Sequence, residues 1–108
     1  MEIDLDIVDF QLILQKDGSI KGISKKDITI YEIYDIFDSF SKYLSSAKGV
    51  IIQIGINKDK NLFSISDVME KYNAILRDDC DIIFGTQVVD DINIDRYNFM
   101  LILSGIEK

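Results

Sequence analysis

The sequence predicts an α/β (α+β) chain: a two-layer sandwich in which two or three helices cover one mixed four-stranded sheet. Three observations carry that prediction. Apolar residues recur at helical spacing over 29–44 and again after Ser64. Short, almost continuous apolar runs stand at VIIQIGI, IIFGTQVV and YNFMLIL. Turn signals separate them at Asp17-Gly18-Ser19, Ala47-Lys48-Gly49, 57–61, 77–81 and 90–95. Strands alternating with crossover helices imply partly parallel pairing.

In order along the chain, residues 5–15 fit two patterns. Ile7, Phe10 and Leu14, with Leu5, Val8 and Leu12, fit a helix, whereas Phe10, Leu12 and Leu14 also alternate as in a strand. A helix is the favoured reading, with Asp4 or Asp6 near its start accepting exposed backbone N–H groups. Residues 19–23, after the Gly18 turn, read as a short strand. The clearest helix is 29–44. Thr29 and Glu32 have capping-box spacing, Ile33, Phe37, Phe40 and Leu44 form one stripe, and Gly49 is the expected stop. Residues 50–56 are a buried strand. Ser64 with Asp67 opens a second helix, whose inner face is Ile65, Val68, Met69, Tyr72 and Leu76. Strands at 82–89 and 97–103 close the chain, and a hairpin between them is the simplest pairing.

Composition narrows the function. The chain has 108 residues, which is one domain, 1–108, on length. With 12 Lys+Arg against 19 Asp+Glu, its net charge of −7 repels nucleic acid and anionic membranes. There is no histidine, so Ser-His and Cys-His nucleophiles are excluded. The single Cys80 builds neither a disulfide nor a thiolate metal site, and reads as structural. No apolar run approaches the roughly 20 residues of a membrane span, and the acidic start MEIDLDIVD is unlike a secretory signal. A soluble, cytoplasmic protein is expected. The six scattered glycines form no phosphate-cradling loop. Asp90, Asp91 and Asp95 around Asn93 lack calcium-loop spacing and read as a solvated turn. Gly85, inside an apolar strand, marks a bulge or a close backbone approach. Tyr31, Tyr34 and Tyr43 read as boundary residues. No cofactor and no metal are expected.

An ordered series of strings then becomes informative. Ala47-Lys48-Gly49-Val50-Ile51-Ile52-Gln53-Ile54 precedes Asn61-Leu62-Phe63-Ser64-Ile65 and a helix, followed by Asp81-Ile82-Ile83-Phe84-Gly85-Thr86 and a last strand ending Ser104-Gly105. Ile3-Asp4-Leu5-Asp6-Ile7-Val8-Asp9 opens the chain, with Gly18-Ser19 and Gly22-Ile23 behind it. The series resembles the C-terminal domain of FtsZ, the bacterial tubulin homologue, over nearly the whole chain. The family's Gly-Gly is replaced by Gly55-Ile56, its synergy-loop asparagine by Asp4 and its phenylalanine by Ile7. The family's nucleotide-binding half has no counterpart here.

The resemblance implies that Asp4, Asp6 and Asp9 are synergy-loop contact residues. In the family the acidic pair matching Asp6 and Asp9 enters the next subunit's nucleotide site and positions the attacking water. Read without the family, the same aspartates fit helix N-terminal carboxylates or solvated charges. The implied function is protein–protein contact with an FtsZ-type cell-division GTPase polymer or another copy of this chain, with no GTP hydrolysis by this chain alone. The chain is then a free-standing module or half of a longer division protein. An alternative of another class is a small α/β regulatory domain that binds a metabolite between sheet and helices as an oligomer.

Overall fold

The computed structural model describes residues 14–61 and 63–106. Of the first predicted helix, only its end falls within them: Leu14 has helical backbone and a turn follows. The rest of that helix, with Asp4, Asp6 and Asp9, lies outside the described residues. The remaining order is β1 (Ser19–Ile28), α1 (Ile30–Leu44), β2 (Gly49–Ile56), α2 (Phe63–Ile75), β3 (Asp81–Val88) and β4 (Tyr97–Ile106). They form a two-layer α+β sandwich.

The helices begin where local chemistry predicts. Thr29 is extended at φ −88° and ψ 166°, and its Oγ1 accepts the Glu32 N–H at 3.3 Å, which caps α1. That helix buries Ile33, Ile36 and Leu44 and rests Phe37 and Phe40 against the core. It ends at Ser45, whose N–H reaches the Ser41 carbonyl. Gly49 is already the buried first residue of β2 and does not stop the helix. α2 starts one residue before the expected Ser64, because the Asn61 side-chain carbonyl accepts the Phe63 N–H at 2.9 Å. Its buried face is Ile65, Val68, Tyr72 and the following Leu76, with Met69 half-buried.

The strand order is β1-β4-β2-β3. β2 and β3 run parallel, joined by α2 as crossover, and β4 runs antiparallel to both β1 and β2. The expected β3–β4 hairpin does not form. β4 is inserted two positions away, between β1 and β2. Burial explains the choice. Tyr97, Phe99, Leu101 and Leu103 are at most 2% exposed, and opposite them in register stand Val50, Ile52 and Ile54, each fully buried. Strands this apolar gain most in the sheet's interior. β3, with mostly half-exposed residues, takes the edge. β1 is ten residues long, twice the expected strand, because it follows β4 past two register shifts.

One face of the sheet carries these alternating residues and meets both helices in a single core. Ile51, Gln53, Met100 and Ile102 alternate onto the opposite face. The β2–β3 register runs unbroken through Gly85, so that glycine is not a bulge.

Candidate interaction surface

The described chain enters at the corner where β2 and β3 begin and β4 ends. Two glycines make that corner. Gly18 has φ 124°, and a Cβ on it would stand 2.6 Å from the Ile106 carbonyl oxygen. Gly105 has φ 66°, and a Cβ there would stand 2.6 Å from the Lys48 Cβ and 3.1 Å from the Lys16 Cβ. Only glycine meets both demands without strain. The Lys48 N–H donates to the Ser104 carbonyl at 2.9 Å, and the Asp81 N–H to the Lys48 carbonyl at 3.0 Å. Lys16 forms an ion pair with Asp81 across the same corner. Gly18 and Lys16 are therefore tied to the sheet, the first by backbone fit and the second by charge. The predicted contact residues Asp4, Asp6 and Asp9 precede this anchor and are outside the described residues.

Beside the corner lies a second charged group. Arg77 Nε and Nη2 donate to the two Asp79 oxygens at 2.8 and 2.7 Å, and this bidentate bond holds the Asp79 carboxyl below its usual range. Cys80, between Asp79 and Asp81, is half-buried. Burial first, then the Asp81 and Asp79 carboxylates, push its thiol up to about 11, so it is protonated at neutral pH.

At the other end of β1 the chain makes a kink that the sequence did not announce. Asp27 takes φ 56°, unusual for a residue with a Cβ. Its N–H donates to the Asn98 Oδ1 at 3.0 Å, and its carbonyl accepts from Arg96 Nη1 at 3.1 Å. The only available hint was the enrichment of aspartate in left-handed backbone. Tyr31, Phe63 and Ile94 are 76%, 80% and 52% exposed. They belong to the helix starts and the β3–β4 connection, which the topology gathers at this end of the sheet. Tyr34 and Tyr43 lie on the core boundary, with Lys71 over the first ring at 5.1 Å and Lys21 over the second at 4.7 Å. An open groove of about 350 Å³ runs over the opposite sheet face past Ser24, Gln53, Gly55, Gln87, Asn98 and Met100.

The Ser41, Ser45, Ser46 and Ser66 hydroxyls donate to carbonyls three residues back, at 3.0, 2.9, 3.3 and 2.7 Å. Those hydroxyls are held by their own helices rather than by a base. Among the described residues no group of His, Cys, Asp or Glu is arranged to hold a metal ion. Among the same residues no helix is long and apolar enough to cross a membrane.

No protein-family model matches the sequence, and no curated protein matches it by sequence. Solved structures do match. An empty FtsZ dimer from M. jannaschii superimposes with a TM-score of 0.72 at 15% identity, over 94% of this chain and 31% of that one. The chain has the FtsZ/tubulin C-terminal-domain fold. The same FtsZ-type fold relates it to CetZ2 from Haloferax volcanii (TM-score 0.59, 12% identity, 96% of this chain and 34% of that one). It also relates it to TubZ from Bacillus thuringiensis serovar israelensis (TM-score 0.58, 10% identity, 82% and 25%). The chain thus spans a third or less of the FtsZ and TubZ structures and 34% of CetZ2.

Proposed function

We propose that this chain is a protein-interaction domain that contacts a tubulin-type GTPase polymer and does not turn over GTP unaided. One observation carries the reading: an FtsZ-type fold spans 94% of the chain, in the same order as the FtsZ-like strings in its sequence. The FtsZ structure is a dimer, and the CetZ2 and TubZ structures are GTPγS-form protofilaments. In these three structures the fold therefore sits within a dimer or a protofilament. In this reading Asp6 and Asp9 approach the neighbouring subunit's nucleotide, where carboxylates orient water while the partner supplies the phosphate site and metal. Asp4, in place of an amide, adds negative charge facing the phosphates and weakens that docking. The setting is cytoplasmic, in cell division or a related cytoskeletal process.

The metabolite-binding alternative has no observation in its favour at the sheet–helix layer. That layer is filled by Ile33, Leu44, Ile52, Tyr72 and Leu101, each fully buried.

The test adds the purified chain to a polymerising FtsZ-type GTPase and follows phosphate release. Turnover or filament length changes with the native chain, and the change is reduced for Asp6→Ala/Asp9→Ala. GTP hydrolysis by the chain alone, or no effect at excess chain, overturns the reading.

A further inference from the structure

The sheet has two edges, and they are built differently. On β1 the register against β4 shifts twice, Asp27 is kinked at φ 56°, and Lys21, Lys25 and Lys26 stand exposed. Bulges and lysines are the means by which sheets refuse a further strand. β3, Asp81–Val88, has neither. All eight of its residues keep unbroken register with β2, and its sequence, DIIFGTQV, has no Lys and no Pro. Among the described residues its other side pairs with no strand.

Two hydrogen bonds fix which groups that side presents. The Asp81 N–H donates to the Lys48 carbonyl at 3.0 Å, and the Val89 N–H to the Ile56 carbonyl at 2.8 Å. In a parallel ladder each residue turns both backbone groups to one side and its neighbour turns both to the other. The odd-numbered residues therefore face β2, and Ile82, Phe84, Thr86 and Val88 turn N–H and C=O outward. On the helix side of the same strand Ile82 is 39% exposed and Phe84 is half-buried, which leaves apolar surface beside the open backbone.

Charge selects the occupant. Exposed carboxylates stand at Asp78 and Asp79 before the strand, at its first residue Asp81, and at Asp90, Asp91 and Asp95 after it. Arg77 and Lys16 pair with Asp79 and Asp81, and among the described residues no ion pair engages the other four. A second copy paired antiparallel through this edge brings acidic flank against acidic flank, which opposes self-association. We propose that the free edge of β3 is a strand-addition site for a partner protein's extended segment, apolar in its middle and Lys- or Arg-flanked at its ends. Backbone pairing supplies the affinity and the flanks supply the selectivity. The site stands independently of filament contact through Asp6 and Asp9.

The test uses the full chain and a synthetic peptide of three Thr-Val repeats with two lysines at each end. Its counterpart has glutamates in place of the lysines. Amide hydrogen exchange is read by NMR. The Lys-flanked peptide slows exchange at Ile82, Phe84, Thr86 and Val88, leaves β1 unchanged, and binds at least roughly tenfold more tightly than its counterpart. Thr86→Lys, with Ile82→Lys as a second variant, weakens binding without altering the thermal transition, and Lys25→Thr leaves it intact. Protection appearing at β1, no protection at millimolar peptide, or equal binding of the two peptides overturns the proposal. So does a concentration-dependent dimer that protects the same four amides without peptide.

Discussion

The inner and edge strands of this sheet share one backbone geometry but differ in what they spend it on. β2 and β4 are apolar on the helix face from end to end, with Val50, Ile52, Ile54, Leu101 and Leu103 fully buried. β1 and β3 carry most of the sheet's exposed and charged positions. The inner pair holds the fold together, and the outer pair decides what else the sheet meets. The sequence signal for a strand is strongest where burial is greatest, so the pair that does the holding is also the pair that is easiest to read.

The largest expected effect lies in the inner pair. Leu101→Ala removes a fully buried side chain from the core and lowers stability by about 2–5 kcal/mol in urea unfolding. Ile20→Ala, at a site 53% exposed on β1, changes it by less than about 0.5 kcal/mol. If the two losses come out similar, the division between inner and edge strands is wrong.

Next is the end of β4. Gly105→Ala forces a side chain into φ 66° and against the Lys48 Cβ, and costs about 1–3 kcal/mol in the same assay. A change of the opposite sign is expected in the helix layer. Among the described residues the buried Tyr72 hydroxyl has no hydrogen-bond partner, while its ring stands edge-on to Phe37 at 4.8 Å. Tyr72→Phe keeps the ring contacts, removes the desolvated hydroxyl, and raises stability by about 1 kcal/mol. A loss on that substitution would show the hydroxyl to be satisfied.

The smallest effect is at the edge corner and depends on pH. Folding raises the Cys80 thiol from 9.0 to about 11. Between those values the unfolded chain has released a proton that the folded chain keeps. Stability is therefore unaffected below pH 9 and falls as pH rises toward 11. Cys80→Ala makes that decline shallower in unfolding measured at each pH.

Much of the architecture was legible. VIIQIGI and YNFMLIL announced β2 and β4, and the Thr29 cap placed the start of α1 to the residue. The pairing of the last two strands was not legible, because a hairpin is favoured by sequence nearness and burial of β4 outweighs it. The second half of β1 was hidden by Lys25, Lys26 and Asp27, polar because they line an edge and kinked through contacts with Asn98 and Arg96, about 70 residues away. The start of α2 slipped by one residue because an asparagine side chain did the capping expected of Ser64. The contact residues Asp4, Asp6 and Asp9 rest on resemblance, while the corner that anchors the chain after them depends on Gly18 and Gly105, whose role appears only in three dimensions.

Contact with a GTPase polymer is read out by co-sedimentation. Mixed with an FtsZ-type GTPase, the chain should pellet with the polymer formed in GTP and stay in solution with GDP. Asp6→Ala/Asp9→Ala should pellet several-fold less. A native chain that remains in the supernatant whichever nucleotide is present makes no such contact.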